Sequence, residues 1–329
     1  MTETRILTRR DVQSVLGWDE CIEAVEKAFR LHAAGRSLSP GVLGARAPEG
    51  GFHIKAAGLD LGRLYYAAKT NANFPQNPRR HGLPAIQGVV VLFDARDGRP
   101  LAVMDSMEVT LRRTAAATAV AARYLARPDS KAVTVCGCGI QGAAQLRALA
   151  RVLPVERAYA FDTDASVAER FAADLSAELG IEVTAAADLT QALERSDVCV
   201  TCTPSRQAFL LRSQVRPGTF VAAVGADNAD KQELDPQLMA AAVVVADVLD
   251  QCAEIGDLHH ALAAGVMTRD AVHAELAELT TGARPGRRSR EEITVFDSTG
   301  TALEDVAAAA VAYENAAARG VGLGVALGD

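Results

Sequence analysis

Gly137-Cys138-Gly139-Ile140-Gln141-Gly142 decides how this chain is read, because of what flanks it. The apolar run Ala132-Val133-Thr134-Val135-Cys136 precedes it, and an Ala-rich segment over 141–152 follows. Strand, glycine turn and helix start therefore come in order. Gly137 suits the tight turn, Gly139 the close approach of a ligand, and Gly142 the packing of helix on strand. Backbone N–H groups and the N-terminus of the helix would then face a pyrophosphate. A second apolar run, Ala158-Tyr159-Ala160-Phe161, ends in Asp162, about twenty residues past the last glycine, where a carboxylate binds the adenosine ribose. This spacing predicts a dinucleotide site. Asp162 favours NAD over NADP, because a 2′-phosphate would meet like charge.

Over 131–299 short β-branched runs alternate with Ala/Leu/Glu-rich helical stretches. Strands are expected at 132–136, 158–161, 182–185, 198–203, 220–224, 243–246 and 293–296. Apolar strands separated by amphipathic helices predict an α/β, doubly wound, Rossmann-type parallel sheet covered on both faces. The first third differs. Two helices over 11–33, broken near Gly17, lead into strand-like runs at 52–57, 64–69, 88–93 and 100–104 with no long helix between them. Asp97-Gly98 is a hairpin signal, so a separate, largely antiparallel sheet is expected. A helix over 107–126 stops before Pro128, and a second Ala-rich helix over 301–318 would pack back on the first domain. The expected division is a discontinuous α+β domain, 1–118 with 306–329, and a nucleotide domain, 119–305.

A net charge of −7 offers no basic surplus for nucleic acid. No apolar run reaches the ~20 residues of a membrane-spanning helix. The polar stretch Met1 to Arg10 has no hydrophobic signal core, so a cytoplasmic protein is expected. Most of the six cysteines lie in apolar runs as small hydrophobes, and Cys199 and Cys202 have C-x-x-C spacing without a matching pair. Adjacent helical residues point apart, so His259 and His260 are not expected to share an ion, and no metal site is assigned.

Chemistry centres on a few positions. Lys69 lies near the end of a strand, where a lysine is commonly a solvated cap. Arg112-Arg113 opens an Ala-rich helix, against the helix dipole, which calls for an anionic partner such as a substrate carboxylate. Asp227 follows the strand at 220–224, either capping a turn or meeting the nicotinamide end of a cofactor. Ser298 and Thr299 end the last strand as a helix N-cap or a cofactor-edge contact.

Five ordered motifs complete the picture: Lys69-Thr70-Asn71-Ala72-Asn73-Phe74-Pro75; Gly82-Leu83-Pro84-Ala85-Ile86-Gln87-Gly88; Arg113-Thr114-Ala115-Ala116; Gly225-Ala226-Asp227 with Lys231-Gln232-Glu233-Leu234; and Phe296-Asp297-Ser298-Thr299-Gly300. Together they resemble the ornithine cyclodeaminase/mu-crystallin family from about Arg46 to Asp305. The resemblance implies a homodimer built through the first domain, an NAD or NADP cofactor and a small amino or imino acid substrate. It implies that Lys69 contacts substrate, that Arg46 helps hold its carboxylate, and that Arg113 sits where cofactor and substrate meet. It makes Asp227 the acid/base residue and Thr299 a substrate contact. Gly137, Gly139, Ile140, Gln141, Gly142, Asp162, Thr203, Gly225, Lys231 and Ser298 fall at cofactor positions. Departures at Gly51-Phe52-His53-Ile54-Lys55, Ala85 and Asn228-Ala229 make the chain resemble the alanine dehydrogenase and imine reductase members more than the cyclodeaminases.

The expected chemistry is exchange of a hydride between an amino-acid Cα and nicotinamide C4, the cofactor supplying the redox step. Arg46 and Arg113 would clamp the carboxylate, Lys69 would polarise the substrate, and Asp227 would exchange the nitrogen proton, an acid role requiring burial. Hydrolysis of the imine makes a dehydrogenase, and the reverse redox step an imine reductase. Attack by a distal amine makes a cyclodeaminase, and a ligand-binding protein without turnover is the rival outside enzymes. Arg79, Arg80 and His81 would recognise a second carboxylate, as in iminosuccinate, unless they are merely solvated.

Overall fold

A computed structural model describes residues 3–327. The chain forms two compact units, one ending at Arg113 and resumed from Thr301, the other Thr114–Gly300. The helix Ser106–Leu125 carries the chain from the first into the second.

The first unit is built on a seven-stranded sheet. Its order is Leu323–Val325, Thr4–Leu7, Pro100–Asp105, Ile86–Asp94, Leu64–Asn73, Gly50–Asp60 and Ser37–Ala47. Every neighbouring pair is antiparallel except Thr4–Leu7 with Pro100–Asp105. Side chains alternate across the sheet as the pleat requires. Tyr65, Ala67, Lys69, Val90 and Leu92 are buried, whereas Tyr66, Ala68, Thr70, Val91 and Phe93 on the opposite face are half-buried and Val89 is exposed. The helix Ala302–Arg319 packs on Trp18–Ala33 and across the strands Gly50–Asp60 and Leu64–Asn73. Its alanines at 307, 308, 309, 312 and 316 are fully buried. Alanine is both the best helix former and thin enough to let a helix lie close on a sheet.

Sequence expectation understated this unit. Thr4–Leu7, Ser37–Ala47 and Leu323–Val325 are strands without an apolar run to announce them. Ser37–Ala47 carries Gly41, Gly44 and Pro40 and exists through its pairing with Gly50–Asp60. The helix starts at Ser106, so Arg112 and Arg113 stand one to two turns inside it rather than at its opening.

The second unit holds an eight-stranded, all-parallel sheet. Its order is Ala274–Glu275, Val243–Ala246, Thr294–Asp297, Phe220–Ala223, Val198–Thr201, Ala132–Cys136, Arg157–Phe161 and Glu182–Ala185. The seven strands expected here are present, most within a residue or two of the expected ends. Val133, Val135, Val198, Val200, Val221 and Val295 are buried, as continuous apolar strands under two helical layers must be. The chain runs outward from Ala132–Cys136 to Glu182–Ala185, then returns to place Val198–Thr201 on the other side. That reversal is the topological switch point, and ligands of such sheets bind at its carboxyl edge. A small two-stranded sheet, Arg206–Leu210 with Gln232–Leu234, was not expected.

Candidate active site

At the switch point each fingerprint glycine has its own reason. Gly137 has φ +97°, and an added Cβ would come within 2.9 Å of the Cys202 carbonyl oxygen. At Gly142 a Cβ would meet the Gly137 carbonyl at 2.2 Å. Gly139 is the opposite case: among the described residues nothing lies within 4 Å of where its Cβ would be. It is the N-cap of the helix Ile140–Val152, whose first residue is 76% exposed. Among the described residues the Gln141 amide Nε2 has no hydrogen-bond partner. Asp162, at the tip of the next strand, accepts from Cys138 N at 2.9 Å and Asp164 N at 3.1 Å. Asp162 and the glycine loop are thus tied together.

The other strand tips of this unit carry Thr203, residues 225–227, and Ser298 with Thr299. Thr203 and Gly225 both donate to Glu233, through Thr203 N at 2.6 Å and Gly225 N at 2.8 Å. Asp227 pairs with Lys231 at 2.8 Å, and its side chain is 54% exposed. The burial that an acid role requires is therefore not met at Asp227. Ser298 and Thr299 gather on Asp247, whose carboxylate accepts from Thr299 N at 2.8 Å and Gly300 N at 2.6 Å. The Thr299 hydroxyl bonds Asp247 at 3.1 Å and accepts from Gln251 at 2.7 Å. Thr299 is not a helix N-cap; Thr301 takes that place, with Glu304 closing its capping box.

In the first unit Lys69 is no solvated cap. It lies inside the strand Leu64–Asn73 and is only 3% exposed. Its ammonium contacts Asp305 Oδ1 at 2.9 Å and Oδ2 at 2.8 Å. Arg113 contacts Asp305 at 2.9 Å and Glu304 at 2.7 Å. Burial, and then the Arg113 charge, push the Lys69 ammonium down to about 7 against the opposing pull of Asp305. Burial also opposes ionisation of Asp305, but Lys69 and Arg113 outweigh it and hold the carboxyl below its ordinary value. The anion expected for the arginine pair is thus supplied by the protein: Arg113 by the C-terminal helix, Arg112 by Glu108 at 2.7 Å.

Arg46 is not brought to this cluster. It is exposed near the end of Ser37–Ala47, opposite Gly51, whereas Val42 stands in the row of Lys55 and Lys69. Four residues of strand separate the two positions along the sheet, roughly 13 Å. Arg79 and Arg80 belong to a short helix, Asn77–Arg80, rather than a loop; both are exposed, and Arg80 pairs with Glu49.

Sequence reading missed Glu233, Asp247, Glu304 and Asp305. The signal was faint: an acid within or just after an apolar run, and a Thr-x-x-Glu capping pattern at Thr301. Cys202 lies past the end of its strand rather than within it, and its thiol donates to the Gly137 carbonyl at 3.3 Å. Burial raises this thiol well above its ordinary value, the opposite of a redox-active cysteine. His259 and His260 bond different carbonyls, those of Ala253 at 3.3 Å and Lys231 at 2.8 Å.

Comparison with known proteins agrees with this architecture. The sequence profile of the ornithine cyclodeaminase/mu-crystallin family matches residues 2–320. An alanine dehydrogenase of Archaeoglobus fulgidus is 40% identical over 320 residues, 97% of each chain. The structure of an archaeal alanine dehydrogenase dimer with bound NAD superposes with a TM-score of 0.94 at 39% identity, covering 99% of both chains. The iminosuccinate reductase of Paracoccus denitrificans in complex with NAD+ gives 0.92 at 32% identity, covering 99% of this chain and 100% of that one. The chain belongs to the ornithine cyclodeaminase/mu-crystallin family.

Proposed function

We propose that this member of the ornithine cyclodeaminase/mu-crystallin family is an NAD-dependent oxidoreductase that interconverts a small α-amino acid and its α-imino acid. The observation that carries this is the open space over Gly139, set between an exposed helix N-terminus and the Asp162 carboxylate. That arrangement fits a dinucleotide: a pyrophosphate needs backbone amides without side chains in the way, and a ribose diol needs an acceptor. Gly137, Gly139, Ile140, Gln141 and Gly142 would hold the pyrophosphate and Asp162 the ribose. Thr203, Gly225, Lys231 and Ser298 would meet the nicotinamide end, and Arg113 is proposed as a further cofactor contact. When bound, NAD supplies the two-electron redox step.

The remaining work falls to side chains. Lys69 and Arg113 bind the substrate carboxylate in competition with Asp305 and Glu304, Thr299 adds a contact, and Lys69 polarises the substrate, while Arg46, four residues of strand away, takes no part. Asp227, exposed and paired with Lys231, fits the base half of the proton exchange and takes the proton from the substrate nitrogen. An alanine-like substrate needs no more than this; an iminosuccinate-like one would bring its second carboxylate to Arg79. The NAD-bound alanine dehydrogenase and iminosuccinate reductase support the cofactor and the amino or imino acid class.

A screen of NADH oxidation with ammonium or methylamine and a panel of 2-oxo acids tests the proposal. NADH consumption with a small 2-oxo acid is expected. Proline formation from ornithine without NADH accumulation would replace the assignment with a cyclodeaminase. Binding of NADH without turnover on any substrate would replace it with a ligand-binding protein.

A homodimer through the open face of the first unit's sheet completes the proposal. Leu43, Ile54, Thr70 and Val89 form one row across four strands on that face, with Tyr66, Phe93 and Val91 beside it. Leu43 is 63% and Val89 43% exposed, and such contiguous apolar surface marks an interface. The archaeal alanine dehydrogenase is a dimer, which supports the oligomeric state. Among the described residues no helix is long and apolar enough to cross a membrane. With all six cysteines free, we assign the enzyme to the cytoplasm.

A further inference from the structure

We propose that Glu233 is a positioning residue, which fastens the tips of two adjacent strands and thereby sets the place of Thr203 and of residues 225–227 for the reaction. The inference rests on the NAD-dependent function proposed above. Glu233 Oε1 accepts from Thr203 N at 2.6 Å and Thr203 Oγ1 at 2.7 Å. Oε2 accepts from Thr201 Oγ1 at 2.7 Å and Gly225 N at 2.8 Å. The residue is fully buried, and among the described residues no lysine, arginine or histidine forms an ion pair with it. A buried carboxylate without a cation is costly, and four converging donors are what offset that cost.

Two further observations tie this carboxylate to the strand tips. A Cβ on Gly225 would come within 2.4 Å of the Glu233 carboxylate, so glycine at 225 is a requirement of Glu233 itself. The main chain of Glu233 is pinned in turn: Glu233 N and Leu234 N each donate to Asp257 Oδ1 at 2.9 Å. Asp257 N and Leu258 N donate to Asp297 at 3.3 and 2.9 Å. The segment 225–233 is therefore anchored at its start by the Glu233 side chain and at its end by the Glu233 backbone. Asp227 and Lys231, ion-paired at 2.8 Å, lie between these anchors. Because Val198–Thr201 and Phe220–Ala223 are parallel neighbours, one carboxylate bridging their carboxyl ends sets the spacing of the crevice edge.

Glu233→Gln is the test. Glutamine has the same shape, but its NH2 must face either Thr203 N–H or Gly225 N–H, and neither can accept. One tip is released. The dissociation constant for NADH, read by its fluorescence, is expected to rise about tenfold or more, as loss of a charge-assisted bond implies. The KM of the oxo-acid substrate at saturating NADH is expected to stay within about twofold. In ligand-free protein, hydrogen exchange at Thr203 or Gly225 is expected to quicken while the amides of Val198–Thr201 stay protected. A variant that binds NADH as the wild type does, with both amides still protected, would overturn the inference. Should Glu233→Gln not fold, Gly225→Ala displaces the same carboxylate sterically, and unchanged NADH affinity there would overturn it equally. Wild-type protein that binds no NADH would instead overturn the proposed function and the catalytic half of this inference with it.

Discussion

Asp305 grips the Lys69 ammonium with both carboxylate oxygens, at 2.9 and 2.8 Å, in a position almost closed to solvent. The same Asp305 receives Arg113 at 2.9 Å. One aspartate thus organises both cations proposed to bind the substrate carboxylate.

A pH limb follows. Lys69 sits near about 7, so raising pH through neutrality removes its proton, and kcat/KM should fall with it. Asp305→Asn removes the anion that favours the ammonium and leaves Arg113 beside it. The falling limb should then move to lower pH by about one unit, the effect of ~1.4 kcal/mol. A limb that stays in place in Asp305→Asn would remove Lys69 from this role. For stability the sign is separate: a lysine depressed in the folded state contributes stability above its unfolded value near ~10.4, lost as pH falls through 7.

Arg113→Met should destabilise the first unit. It leaves Glu304, which is fully buried, and Asp305 with one cation fewer. Breaking one side of a buried pair costs about 3–5 kcal/mol. Arg113→Lys keeps the charge but not the fork that reaches two carboxylates, so it should fall between. Urea unfolding measures both, and a loss under about 1 kcal/mol for the methionine variant would show the cluster to be dispensable.

Asp162→Asn should shift cofactor preference. Its amide oxygen can keep the bond from Cys138 N, so the glycine loop is retained while the charge is lost. Charged hydrogen bonds are worth about 1.5–3 kcal/mol, which sets a fall of roughly ten- to a hundredfold in the NADH-to-NADPH ratio of kcat/KM. An unchanged ratio would place the selectivity elsewhere.

Asp257→Asn should flatten the pH dependence of stability. Burial, and then Glu233, raise Asp257 to about 7, so the folded state holds its proton longer than the unfolded chain does. That contribution is complete below about pH 4, the ordinary aspartate range, and disappears as pH rises through 7. The asparagine variant keeps an oxygen for Glu233 N and Leu234 N but cannot ionise. Comparing unfolding free energies at pH 5 and pH 8, the wild type should lose more than the variant. Parallel changes in the two would mean that Asp257 does not titrate there.

Val89→Glu should produce monomers. The row it shares with Thr70, Ile54 and Leu43 is the apolar centre of the open sheet face, and a charge there resists desolvation. Sedimentation at a series of concentrations reads the outcome, and a dimer that persists would move the interface to another surface.

The second unit was legible because its signals are local. The glycine turn, its strand, its helix and Asp162 all fall within residues 132–162, and parallel strands buried on both faces announce themselves as unbroken apolar runs. The first unit was less so. Ser37–Ala47 is a strand by virtue of its neighbour, and Lys69 looked like a surface lysine until the helix Ala302–Arg319 was laid over it. Arg113 has its anions through burial rather than through the helix opening expected for it, and nothing nearby in sequence named Glu304 and Asp305.

What the amino-acid order settled alone, then, is the parallel α/β fold of the second unit and the place of its glycine turn, since backbone conformation and strand burial depend on residues adjacent along the chain. Which buried charges meet was settled only in three dimensions. Lys69 and Asp305 stand 236 positions apart, and Glu233 reaches Thr201 across 32. Electrostatic and hydrogen-bond energies depend on distance through space, and a linear order of residues does not contain that distance until the chain is packed.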